Sequence, residues 1–237
     1  MKKIICLLIF MSSFFMSIAQ KSKKNTMDGS ALTIGVSYSM PTRMEFEKYF
    51  AVVGDSLHLT SSIIPQKTYG LSLAYSILND KWEFEMGGGL SSGIKVSSSN
   101  ALNTNSASLS TSTIDIHFGL AKYILGPLFI GFDLAAISNA GKFVVNENTG
   151  TLFEDSPESH NPFKGYAFSV RPKAGFFIPF RAGTYSGIKL NAFYDYGISK
   201  YEFYKNDIFQ SRLKNYAGAT KSSFNGFGAQ VVLVFGM

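Results

Sequence analysis

From about residue 30 onward, apolar and polar positions alternate with a period of two, the mark of β-strands with two unlike faces. Leu32, Ile34, Val36, Tyr38 and Met40 alternate with Thr33, Gly35, Ser37 and Ser39. The pattern returns over Tyr69 to Ile77, Trp82 to Leu90, Ile114 to Leu120, Leu128 to Leu134, Tyr166 to Ile178, Ile188 to Tyr196 and Phe227 to Met237. Eight strands are predicted. The links between them alternate long and short, and every long one exceeds 20 residues. Asn79-Asp80, Gly126-Pro127, and Pro179 with Gly183 supply turn chemistry to the short links. Pro172 falls inside the sixth segment, where it cannot donate to a ladder, so a bulge or a locally unpaired position is expected there.

The two faces differ in kind. One is apolar and aromatic without a charge, and the other is built of Gly, Ser, Ala and ions. Glu83, Glu85, Asp115, Asp133, Arg171, Lys173, Lys189 and Asp195 all fall on the second face, together with His117. A soluble lipocalin-type barrel would turn its apolar face inward and coat the other with Lys, Glu and Thr. Small residues instead suit the cramped lumen of an eight-stranded barrel in lipid. Tyr38, Tyr69, Trp82, Tyr166 and Tyr196 lie near segment ends, where interfacial girdles form. The fold class read from this pattern is all-β: an eight-stranded antiparallel transmembrane β-barrel with four long extracellular loops and short periplasmic turns. Loops this long count against a compact soluble domain.

The N-terminus supports export. Residues 1–19 read as a signal peptide, with Lys2 and Lys3 before an apolar core and Ser17-Ile18-Ala19 as the cleavage site. The apolar stretch is too short for a spanning helix, and no run of 18 apolar residues follows it. Residues 20–29 are then a short N-terminal extension and 30–237 the barrel. Cys6 lies in the leader, so disulfide and thiolate chemistry are not expected in the mature protein. Loss of the two lysines lowers the formal charge from +6 to +4. This excess is not gathered into a stripe, and export argues against nucleic acid as a partner. Anionic outer-membrane lipid and lipopolysaccharide suit it better. Charged residues make up only 16% of the chain, below the quarter or so typical of soluble domains.

With its leader, its eight segments and the terminal stretch GFGAQVVLVFGM, the chain resembles the small outer-membrane β-barrel proteins that include PorT-like proteins and the OmpA-type barrel. The resemblance covers residues 30–237 and is architectural. It implies residence in the outer membrane of a Gram-negative cell and insertion by the barrel assembly machinery. Met237 stands where an aromatic is usual, although Phe235 keeps the register. The sequence stops at the last segment, so no peptidoglycan-binding domain is expected after it.

Candidate chemistry is sparse. The nine lumenal ionisable residues are read as a salt-bridged plug, because unpaired burial would cost several kcal/mol each. The other reading is a gated ion path. His58 near Asp55 and Ser56, and His160 near Asp155, Glu158 and Ser159, are the loop clusters an enzyme would need, but they are common loop residues. No phosphate-binding glycine motif or metal-spaced Cys/His set is present, so no cofactor and no catalysis are expected. Gly87-Gly88-Gly89 reads as a packing or bending site. Residues 97–113, rich in Ser, Asn and Thr, are expected to form a mobile loop. Residues 199–223 are basic and aromatic and read first as extending strands seven and eight above the membrane, and second as a surface for polysaccharide, lipopolysaccharide phosphate or an envelope or secretion partner protein. Two function classes follow: a structural or interaction barrel, and transport through a narrow channel or small-solute conduit.

Overall fold

The computed structural model describes residues 28–42, 44–146, 166–181, 184–202, 218–219 and 221–237. In chain order its elements are β1 (Gly29–Thr42), α1 (Met44–Ser56), β2 (Thr68–Asn79), β3 (Trp82–Gly93), β4 (Val96–Ser99) and β5 (Ser106–Leu125). They continue with β6 (Leu128–Asn146), β7 (Tyr166–Pro179), β8 (Gly187–Gly197), β9 (Lys200–Glu202), β10 (Lys221–Ser223) and β11 (Asn225–Gly236). Residues 1–19, read above as a signal peptide, the His160 cluster, Gly183 and the aromatics at 203–216 lie outside the described residues.

Eight strands close a ring. β1 pairs with β2 and with β11, β3 pairs with β5, and every contact around the circuit is antiparallel. The short β4 pairs with the upper part of β5 beyond β3, while β9 and β10 pair with each other. From Gly29 the register steps through Leu78, Glu83, Ala121, Gly131, Lys173, Phe193 and Gly228. It returns to β1 at Ser39, ten residues along from its start. With strands ~4.8 Å apart and ~3.3 Å per residue, that displacement sets a tilt of roughly 40° and a radius of roughly 8 Å.

Burial decides which face is inside. Leu32, Ile34, Leu71, Leu73, Ile130, Phe132, Leu190 and Leu233 are exposed, whereas Thr33, Ser76, Glu83, His117, Asp133 and Lys189 are buried. An apolar surface of this extent cannot face water. The soluble alternative falls, and the chain is an outer-membrane-type barrel. No described helix is long and apolar enough to cross a membrane. On β5 the outward face from Ile124 to Ile114 is apolar except at Lys122 near its periplasmic end, whose ammonium lies 4.9 Å from the centre of the Trp82 ring. At the tilt above that is roughly 25 Å tall, the height of a lipid-facing band.

Three features depart from the sequence reading. First, residues 97–113 are largely sheet: β5 begins at Ser106, β4 pairs with it, and β6 continues to Asn146. Period two does not stop at the membrane edge, but its polarity inverts. Ser106, Ser108 and Ser110 point outward while Ala107 and Leu109 are buried. With serine on its outer side, the run has the composition of a loop and the alternation of a strand.

Second, the lumenal face is not uniformly small and polar. Tyr123, Phe129 and Phe177 form an aromatic cluster at its periplasmic end.

Third, the first long link contains α1. Phe46, Tyr49, Phe50, Val53 and Leu57 recur at helical spacing and bury fully against Leu109, Ile137, Phe143 and Phe224 across the extracellular mouth. Glu45 and Glu47 in its first turn suit the helix dipole.

Pro172 behaves as expected: its pairing with Phe132 is kept, and the ladder to β8 skips Arg171 and Pro172 with no shift in register.

Leu190 is 41% exposed on the belt and its neighbour Asn191 9% in the lumen. Leu190→Arg is expected to destabilise the barrel by roughly 2–4 kcal/mol in equilibrium refolding into bilayers. Asn191→Arg acts on lumen packing instead, so the two changes should differ in their dependence on bilayer thickness.

Candidate functional site: the lumenal charge layer

Five strands place nine ionisable side chains at mid-lumen. β3 contributes Glu83 and Glu85, β5 Asp115 and His117, β6 Asp133, β7 Arg171 and Lys173, and β8 Lys189 and Asp195. Alternation turns every one of them inward. Glycines make room: a methyl on Gly89 would lie 2.6 Å from the Asp115 Oδ1, and one on Gly119 would collide with the Asp133 carboxylate. Gly87-Gly88-Gly89 thus has the packing role its sequence suggested.

The charges meet in three groups. Lys189 on β8 donates a short hydrogen bond across the lumen to Glu83 on β3. The Tyr123 hydroxyl donates to the other Glu83 oxygen at 2.8 Å. Lys189 also donates to the Tyr185 hydroxyl at 3.2 Å, and Tyr185 shares a 2.9 Å hydrogen bond with Ser76.

A second chain begins at Lys173, whose Nζ lies 2.6 Å from Asp133 and 3.3 Å from Glu85. The same Glu85 oxygen is 3.5 Å from His117 Nε2, and His117 Nδ1 is 2.8 Å from Asp115. The third group pairs Arg171 Nε with Asp195 at 2.7 Å, with the guanidinium over the Phe193 ring. All nine residues therefore contact an opposite charge or a ring nitrogen. Five carboxylates face three permanent cations, and both nitrogens of His117 point at carboxylates.

Sequence reasoning missed the aromatic partners. Tyr123 has the same inward parity as His117 and was legible in principle. Tyr185 sits in the short link 180–186, where no periodicity identifies it, yet its ring packs on Phe177 and closes the periplasmic floor. Within the charge layer a polar void of about 40 Å³ lies among Ser72, Asp115, Asp133, Arg171, Asp195 and Gln230. It has room for roughly one or two waters and no more. Higher up, Thr111, Asn139 and Ser169 are buried on the lumenal face with side-chain atoms that have no hydrogen-bond partner among the described residues. Leaving such groups unsatisfied costs about 1–3 kcal/mol each.

The loop candidates do not assemble. His58 is exposed beyond the end of α1 with φ 55°, and its backbone N–H donates to the Asp55 carbonyl. No side chain of Asp55 or Ser56 hydrogen-bonds its ring. Among the described residues no cluster of His, Cys, Asp and Glu is arranged to hold a metal ion.

No protein-family model matches the chain, and neither does any curated protein. Solved structures that match it are small outer-membrane barrels. They include Ail, the attachment invasion locus protein of Yersinia pestis, at 11% identity and a TM-score of 0.43 over 89% of this chain and 100% of that one. Neisserial surface protein A matches at 8% identity and a TM-score of 0.43, over 86% of this chain and 96% of that one. The outer-membrane protease OmpT of Escherichia coli matches at 7% identity and a TM-score of 0.40, over 92% and 100%. At these identities none of them lends this chain a residue role or an activity.

Lys189→Met alone strands Glu83 in the lumen and is expected to destabilise the barrel by roughly 3–5 kcal/mol. Glu83→Gln combined with Lys189→Met should recover most of that loss. A double-mutant cycle by urea titration in bilayers checks it, and simple additivity would show that the two groups do not act as a pair.

Proposed function

We propose that this protein is a closed outer-membrane barrel with a structural or interaction role, in envelope integrity, adhesion or as an accessory to secretion, and that it is neither a pore nor an enzyme. The observation that carries this reading is the sealing of the lumen at three depths. Tyr123, Phe129, Phe177 and Tyr185 close the periplasmic end, the ion pairs fill the middle, and α1 covers the extracellular mouth. A radius of roughly 8 Å leaves no lumen beside these side chains. What remains for contact is outside: the exposed side of α1 and the sheet β4–β5–β6. The reading includes export, with the mature chain starting at Gln20, and insertion by the barrel assembly machinery through the β11 end.

A narrow channel is the second reading. Thr111, Asn139 and Ser169, which have polar side-chain atoms without a partner among the described residues, favour it, because water would reach them if α1 lifted. The experiment is single-channel recording of protein isolated from outer membranes, its N-terminus verified by sequencing. Wild type should show no steady conductance, and deletion of residues 44–56 should leave it closed at the charge layer. Stable openings in wild type would overturn the closed-barrel reading. Openings only after the deletion would make α1 a gate.

A further inference from the structure

The β5–β6 hairpin and β4 rise past the belt, and their outer face is polar where the belt below is apolar. Ile114 and Leu90 are exposed to lipid, whereas the next outward positions up β5 are Ser112, Ser110, Ser108 and Ser106. This face looks sideways, toward the membrane surrounding the barrel, at the depth of its outer headgroups. It is also concave: a groove of about 510 Å³ is floored by half-buried Ser106, Ser108 and Ser110 between exposed Lys95 and Lys142.

Register puts the two lysines together. Ser110 pairs with Lys142, and Lys95 immediately precedes Val96, which pairs with Leu109. Lys95, one residue before β4, thus lies beside the Ser110–Lys142 pair, with the two lysines separated by the width of β5, roughly 10 Å between Cα atoms. Ser110 stands four residues beyond Ile114, roughly 10 Å above it along the barrel axis at the tilt derived above. Flexible lysine stems can lower their ammonium groups from there toward the hydrocarbon boundary. Residues 86–114 and 134–146 contain no Asp or Glu, and neither lysine has a carboxylate partner among the described residues.

We propose that the outer face of β4–β5–β6 binds the phosphorylated sugar headgroup of an outer-leaflet glycolipid. The paired ammonium groups would hold a phosphate, and the rows of serine hydroxyls would meet sugar hydroxyls. A protein partner fits less well, since the groove offers no aromatic anchor. A simple phospholipid would use the lysines and leave the serines idle. The inference needs the barrel's orientation but not a closed lumen, so conductance and lipid binding succeed or fail separately.

The test is native mass spectrometry of the full barrel in nanodiscs, titrated with bis-phosphorylated lipid A. The parallel arms use dephosphorylated lipid A and phosphatidylglycerol. Wild type should prefer phosphorylated lipid A to both. The double variant Lys95→Gln with Lys142→Gln should lose about tenfold in affinity. Ser108→Ala with Ser110→Ala should lose several-fold for lipid A and nothing for phosphatidylglycerol. Lys48→Gln on α1 serves as a control and should bind like wild type. Each variant's fold is verified by its heat-modifiable migration. Unchanged lipid A affinity in the lysine variant would overturn the site. Equal affinity for phosphatidylglycerol and lipid A would overturn the sugar assignment.

Discussion

Everything in this barrel depends on one constraint: in hydrocarbon a backbone N–H or C=O has no partner except another strand. An open sheet edge is therefore forbidden, and the first and last strands must meet. β1 and β11 do so along twelve consecutive pairs from Ala31–Gly236 to Thr42–Asn225. Closure with eight strands and a ten-residue displacement leaves a narrow cylinder. Its width then selects what can point inward. Gly35, Gly87, Gly89 and Gly119 stand where a single added carbon would meet a neighbouring side chain or backbone.

The charges follow from the same narrowness. A lumen too small for bulk water cannot hydrate ions, so each must be met by another. Glu83 and Lys189 are 106 residues apart in sequence and come from strands on opposite sides of the ring. Their bond ties the barrel across its diameter. Around it the polar groups form a layer bounded by aromatic rings below and by the buried face of α1 above. The protein is in effect inverted, with lipid as its apolar solvent and ions as part of its core.

Much of this was legible because period two is exact in a strand: once Leu32 or Leu190 is known to face lipid, the placement of Thr33 or Lys189 follows. The strand count and the inward parity of all nine ionisable residues were readable for that reason. The pairing was not, because parity says nothing of which level meets which across a ring, so the division into three groups required the register. Two further signals were hidden by composition. Ser106 to Ser112 has the alternation of a strand, but with its polar side outward it resembles a loop. Phe46, Tyr49, Phe50 and Val53 carry a helical period inside a stretch assigned to an external loop. Tyr185 had no periodic context at all.

The central claim is that inside and outside are separated by parity, and that polarity on the outer face switches at the membrane edge. Nitroxide scanning of β5 in bilayers tests it directly, since Cys6 is the sole cysteine of the sequence and is replaced by Ser beforehand. Labels at even positions from 114 to 120 should be quenched by oxygen, and labels at even positions from 106 to 112 by a water-soluble nickel chelate. Odd positions from 107 to 121 should be shielded from both. Odd positions open to the chelate along the whole strand, or oxygen exposure continuing unbroken up to 106, would contradict the account.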